Sequence, residues 1–194
     1  TENLSIKITS RTTTQEDNKQ HLIFQIPKRQ TNRNKYTNKM PSEDFLKWIK
    51  TLEKKEVRID IIKEQEKKNK IADIVNEAMQ TAMDDKEFRK ELSHYVKSNM
   101  TKSCLGMPGF TLGIPTPVSL IASLLMRFIN MAKISKKDDE KLLKHHTPLF
   151  VIISTEKDST EDWIQTGQIY EKISLHAQKN NIQTAPLAAA IQIG

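Results

Sequence analysis

Cysteine is nearly absent: Cys104 is the single one among 194 residues. One thiol excludes an intrachain disulfide and a cysteine-built metal cluster, and it suits a reducing cytoplasm. Glycine and proline are scarce, at 5 and 7 residues, which favours a helix-rich fold with a few strands. No glycine loop of the P-loop type appears, and no Ser/His/Asp arrangement suggests nucleophilic catalysis. Zinc-finger spacing and a basic stripe interleaved with aromatics are both missing, which argues against a nucleic-acid surface. No signal peptide opens the sequence. The most apolar stretch, Pro117 to Ala132, is interrupted by Arg127 and Asn130 and is too short to span a bilayer. It reads as a buried helix, so no membrane partner is expected.

What is present suits one globular domain over residues 1 to 194, with 37% hydrophobic and 28% charged residues, enough to bury a core. The 31 Lys+Arg against 24 Asp+Glu leave a formal charge of +7. The lysines are dispersed, as in Lys54-Lys55, Lys67-Lys68 and Lys136-Lys137, with acids between them, as on a solvated surface. The sequence starts at Thr1 without methionine and stops at Gly194 after the mostly apolar run Leu187 to Ile193. A piece of a longer protein is therefore expected.

Residues 1 to 20 read as an extended arm in which Leu4, Ile6 and Ile8 alternate. Pro41-Ser42-Glu43-Asp44 has the marks of a helix start, followed by Phe45, Trp48, Ile49 and Leu52 at helical spacing. Alternation of Val57, Ile59 and Ile61 with Arg58 and Asp60 predicts a half-buried strand over 56 to 63. Ile71, Ile74, Val75, Ala78, Met79, Ala82 and Met83 form a helical stripe, with Met79 and Met83 as core filler. A second helical run carries Phe88, Leu92, Tyr95 and Val96. Residues 100 to 116 make a Gly/Pro loop, and Thr116-Pro117 suits the cap and first position of the apolar helix that follows. Lys136 to Lys144 reads as a charged linker, and Leu149 to Ile153 as a central strand buried on both faces. Ser159-x-x-Asp162 is an acidic capping box for a helix to about Asn180.

The candidate for chemistry is Lys28-Arg29-Gln30-Thr31-Asn32-Arg33. Arginine offers planar paired donors that match phosphate oxygens, and threonine adds a short hydroxyl donor. If these residues open a helical turn, free backbone N–H groups would point the same way. By themselves they favour a solvated basic turn. His145-His146 has no third ligand at convincing spacing and reads as surface histidine rather than metal site. Cys104 has no paired base and reads as a small loop residue.

The stretch Ile26 to Tyr36 resembles the Arg-x-Ser/Thr-x-Arg/Lys segment of the nitroreductase-like FMN family, closest to its Acg-type branch. The likeness extends to Phe88-Arg89-Lys90-Glu91-Leu92 with Asn99, to Gly106-Met107-Pro108-Gly109 and Gly113-Ile114-Pro115, and to Asp162-Trp163 through Glu171. It ends in Asn181 to Ala189, similar to the family's turn after that helix. The resemblance implies an α+β fold with a mainly antiparallel central sheet flanked by long helices. FMN is the implied cofactor, with Arg29 and Arg33 neutralising its phosphate while Thr31 and Gln30 hydrogen-bond it or the ribityl chain. Pro186 and Leu187 would lie against the isoalloxazine, and a backbone amide near Ala188 would reach the flavin N5. Gly167 would permit close approach behind the ring, although Trp163, Gly167 and Tyr170 equally suit plain packing. The Asn-x-Gln-Pro-Trp-like segment of that branch is absent, as are the basic residues that close the phosphate site near the family's C-terminus.

The function so implied is passage of electrons from NAD(P)H through flavin to a nitroaromatic, quinone or similar acceptor, by a homodimer or pseudo-dimer. The redox step belongs to the flavin, so no catalytic side chain is expected. Two other readings stay open: a flavin-binding or flavin-storing protein with little turnover, and a basic interaction module.

Overall fold

The computed structural model describes residues 20–192. The arm expected over residues 1 to 20 lies outside them except for Gln20, which starts the first helix. Along the chain come α1 (Gln20–Ile23), a 3-10 turn (Ile26–Lys28), α2 (Glu43–Lys50), β1 (Val57–Ile62), α3 (Gln65–Asp84) and α4 (Lys86–Tyr95). Then follow β2 (Val96–Lys97), β3 (Met107–Pro108), α5 (Thr116–Ser119), α6 (Ala122–Phe128), α7 (Met131–His145), β4 (Phe150–Thr155), α8 (Thr160–Lys179) and α9 (Ala189–Gln192). The architecture is α+β: β1 and β4 form a small antiparallel sheet, and β2 and β3 make a short parallel pair.

Period-two alternation decides which helices cover the sheet. Val57 lies opposite Thr155, Ile59 opposite Ile153 and Ile61 opposite Val151. This face packs on Phe45, Leu46 and Ile49 of α2 and on Ile169, Ile173 and Ala177 of α8. The other face carries Arg58 and Asp60, paired at 2.9 Å, and among the described residues its apolar cover lies at the Ile62–Phe150 end. There Phe150 joins Ala72 and Val75 of α3 and Leu143 of α7, with Ile62 packed alongside. A separate cluster of Met83, Val96, Ala122, Met126 and Ala132 lies where α3, α6 and the start of α7 meet.

The long helices carry their signals locally. Ser42 Oγ accepts from the Phe45 N–H, with Glu43 and Asp44 in the first turn of α2, where acids favour the helix dipole. The capping box of α8 is complete: Ser159 Oγ accepts from the Asp162 N–H, and Asp162 accepts from the Ser159 N–H. Buried Arg89 donates to the Met83 and Asp84 carbonyls at 2.6 and 3.0 Å. It thereby puts a cation on the carbonyl end of α3.

Several expectations are corrected. The stretch 117 to 132 is not one buried helix. It divides into α5, α6 and the start of α7, with non-helical backbone at Ile121 (φ −111°, ψ 4°) and Ile129 (φ −115°, ψ 131°). Pro115 rather than Thr116 stands at the cap of α5. Leu120, Ile121, Leu124 and Phe128 are exposed. The charged segment 136 to 144 is the body of α7, because Lys and Glu propagate helix well and Leu143 turns inward. Among the described residues β4 has a single partner strand, and Ile152 is 41% exposed, so it is not buried on both faces. On α3 the inward face holds Lys68, Ala72, Val75, Ala82 and Met83, while Ile74 and Met79 face solvent. No helix among the described residues is long and apolar enough to cross a membrane.

Two consequences are measurable. Ile59 is fully buried between the sheet and α8, so Ile59→Ala should cost about 2–5 kcal/mol by urea denaturation. Ile152→Ala, on the open face, should cost less than about 1 kcal/mol by the same measurement. The His176 ring stacks on Trp48 with centroids 3.7 Å apart, and burial first, Lys179 second, hold its pKa below the ordinary value. The unfolded chain therefore protonates before the folded one. The His176 contribution is complete above about pH 6.5 and is lost as pH falls from there toward the lowered folded-state value. Thermal melts across pH 5 to 7.5 should show a shallower acid loss in His176→Gln than in the native chain.

Candidate functional site

The residues singled out for phosphate recognition follow a 3-10 turn rather than opening a helix. Pro27 lies within that turn, and Arg29 leaves it in extended conformation (φ −68°, ψ 128°). The Arg29 N–H donates to the Gln25 carbonyl at 2.8 Å. Thr31 then forms a parallel β-bridge with Thr184, and the Asn32 N–H donates to the Thr184 carbonyl at 3.1 Å. The expected fan of free helical N–H groups is therefore replaced by one strand-like edge with its amides partly used.

That bridge depends on how α8 ends. Asn181 takes a left-handed conformation (φ 56°), open to Asn at low cost. The Ile182 N–H turns back to the Ala177 carbonyl at 2.8 Å, and Ile182 packs on the cluster of α2, β1 and α8. The chain reverses and carries Thr184 back to Thr31. Two segments some 150 residues apart in sequence, Arg29–Arg33 and Pro186–Ala188, are thus joined by adjacent backbone.

Side chains reinforce the junction. Arg29 Nε lies 3.3 Å from Glu171 Oε1 on α8, both half-exposed, an ion pair worth less than about 1 kcal/mol at this exposure. Tyr36 Oη donates to the Asn32 carbonyl at 2.6 Å. Burial raises the Tyr36 pKa first, Tyr170 adds to the rise and Arg33 opposes it, so Arg33 and Tyr170 both lie within electrostatic reach of that hydroxyl. Asn34 N–H donates to Asn32 Oδ1 at 2.9 Å and closes the turn. Gln30 and Arg33 are exposed, and among the described residues no carboxylate lies within ion-pair distance of Arg33.

Of the second segment, Pro186 and Ala188 are exposed. Leu187 packs against the Ala72, Val75, Leu143 and Phe150 cluster, so its side chain is committed to the core. The Ala188 carbonyl accepts from the Ile191 N–H at 3.0 Å, while no backbone acceptor serves the Ala188 N–H among the described residues. Gly167 faces open space, and Trp163 is exposed with its Nε1 donating to Asp158 at 2.6 Å. Neither belongs to a core cluster.

The Gly/Pro loop is stitched by Asn99. Its Oδ1 accepts from the Phe110 N–H at 2.6 Å, and its Nδ2 donates to the Ile114 carbonyl at 3.1 Å and to Thr116 Oγ1 at 3.2 Å. Gly106 at φ 103° cannot carry a Cβ, which would meet the Tyr95 carbonyl at 2.5 Å. Cys104 is exposed and free. His145 and His146 join no group of metal ligands among the described residues.

The donor set suits a phosphate. Two guanidinium groups and a threonine hydroxyl lie on one partly exposed segment, with one carboxylate, Glu171, as competitor among the described residues. Glu171 and Tyr36 were hidden from sequence reasoning as members of this group, because each contact depends on where α8 passes the loop. Helical spacing did contain one overlooked signal: Lys68, Ala72 and Val75 share an inward face of α3. Comparisons of the chain with protein-family models, with characterised proteins and with solved structures give no match.

Proposed function

We propose that this chain is the flavin-holding part of an FMN-dependent, NAD(P)H-oxidising oxidoreductase of the nitroreductase type. The observation that carries the reading is the Thr31–Thr184 bridge. It puts the arginine segment beside the turn that, in the resembling family, meets the isoalloxazine. FMN supplies the hydride and electron chemistry when bound. The chain's own residues bind and orient: Arg29 and Arg33 neutralise the phosphate, Thr31 and Gln30 add hydrogen bonds, and the Ala188 N–H is available as a ring donor. Pro186 offers an apolar edge, whereas Leu187 supports that turn from beneath.

FMN fluorescence quenching on titration with protein tests the phosphate assignment. Arg29→Ala with Thr31→Ala should weaken FMN affinity by about tenfold or more, since charged hydrogen bonds contribute about 1.5–3 kcal/mol each. Glu171→Gln should tighten it by releasing Arg29. Equal affinity in the double variant, with an unchanged circular dichroism spectrum, would sink the assignment. NAD(P)H consumption by the loaded protein separates an enzyme from a flavin store.

The homodimer fits an exposed apolar surface on the same chain. Val118, Leu120, Ile121, Leu124 and Phe128 are all exposed on α5, α6 and their junction, with Ile121, Leu124 and Phe128 at helical spacing. Together these side chains expose on the order of several hundred Å², the size of the largest apolar patch on an ordinary monomer, which is often an interaction site. That is more than half of the roughly 800 Å² that one partner of a standard interface buries. A second copy covers this face in the proposed assembly. Light scattering should give a dimer mass for the native chain and a monomer mass for Leu124→Lys with Phe128→Lys. A monomeric native chain at tens of micromolar would overturn this assembly.

A further inference from the structure

A cleft of about 280 Å³ lies between the start of α3 and the end of α7, lined by residues other than those of the flavin segment. Asn38, Lys63, Gln65, Lys68, Lys144, His145 and Thr147 contribute its polar lining, and among the described residues no carboxylate does. Its volume matches roughly nine water molecules, enough for a tetrahedral oxyanion and a small group attached to it.

Lys68 is the informative residue. It is 7% exposed because it shares the inward face of α3 with Ala72 and Val75. Its ammonium donates to the Thr147 carbonyl at 2.9 Å and to the Pro148 carbonyl at 3.3 Å. These carbonyls satisfy two of its three N–H groups, but they bring no formal negative charge. Among the described residues no carboxylate pairs with Lys68. A buried cation without a counter-ion is costly, and this one opens onto the cleft.

The other two lysines of the lining are ion-paired. Lys144 Nζ sits 2.7 Å from both Asp73 and Glu140, and Lys63 Nζ sits 3.1 Å from Glu43. None of these carboxylates lines the cleft. The pairs limit the freedom of two long side chains, which lowers the entropy lost on engaging a ligand. Gln65 is fixed likewise, its Nε2 donating to Asn69 Oδ1 at 2.8 Å and to the Lys144 carbonyl at 2.9 Å. We propose that this cleft is a phosphate-binding site, with Lys68 as its central counter-charge and Lys63, Lys144 and His145 around it. Lysine binds phosphate as a point charge, and the space beyond the anion admits a small phosphomonoester. The site stands independently of the flavin reading.

The test is amide NMR of the whole chain titrated with inorganic phosphate and, separately, with glycerol phosphate, at constant ionic strength set by sodium chloride. Saturable shifts are expected at residues 63 to 68 and at 144 and 145. Lys68→Met should weaken binding by about tenfold or more, and Arg29→Ala with Thr31→Ala should leave it unchanged. Should Lys68→Met fail to fold, Lys63→Gln with His145→Gln must weaken binding at least threefold. Tighter binding of glycerol phosphate assigns the cleft to phosphomonoesters, and binding of inorganic phosphate alone assigns it to the free ion. The proposal is overturned by shifts confined to residues 29 to 33, by no saturable shift, or by undiminished binding in the folded cleft variants.

Discussion

The antiparallel pairing of Val57–Ile62 with Phe150–Thr155 is the constraint on which the rest of the molecule depends. It joins two short strands that lie far apart in the chain, and a two-stranded ribbon is marginal on its own. Its stability comes from the helices on either side. Ile59 and Ile153 present one face to α2 and α8, while Ile62 and Phe150 draw α3 and α7 onto the far end of the other. Every long helix outside the α4–α6 cluster is therefore positioned by one six-residue register.

The candidate site inherits its geometry from that packing. α8 lies on the sheet through Ile169, Ile173 and Ala177, which sets where Glu171 meets Arg29 and where Asn181 reverses the chain. Thr184 reaches Thr31 only because Ile182 is seated in the same core. The loop from Arg29 to Tyr36 has few apolar anchors of its own and depends on backbone bonds to Thr184 and on the Tyr36–Asn32 contact. At the opposite side of the sheet end, Phe150 and Leu143 pull α3 and α7 together. The lysine-lined cleft is the polar mouth of that contact.

Local signals were readable where neighbouring residues decide the outcome. Ser42 with Glu43 and Asp44, the Ser159–Asp162 box, and the alternation of Val57, Ile59 and Ile61 all act within a few residues. Reading failed where hydrophobicity was taken for burial. Leu120, Leu124 and Phe128 are as apolar as any core residue, yet α6 turns Ala122 and Met126 inward instead. Ile74 lost its place to Lys68 and Ala72 for the same reason: the side of α3 that meets α7 is chosen by the partner helix. Lys136 to Lys144 looked like a linker because charge was weighed above helix propensity.

The sequence by itself determined the starts of α2 and α8, a strand over about 56 to 63 and the cluster of phosphate-compatible donors at Arg29, Thr31 and Arg33. These rest on capping, period and side-chain chemistry, which are local properties. Only the tertiary structure decided that Arg29 pairs with Glu171, that Thr31 lies against Thr184, that Leu187 faces the core, and that Lys68 is buried without a carboxylate. Each of these depends on contacts between segments far apart in the chain, whose formation is governed by sheet register and helix packing rather than by any neighbouring residue.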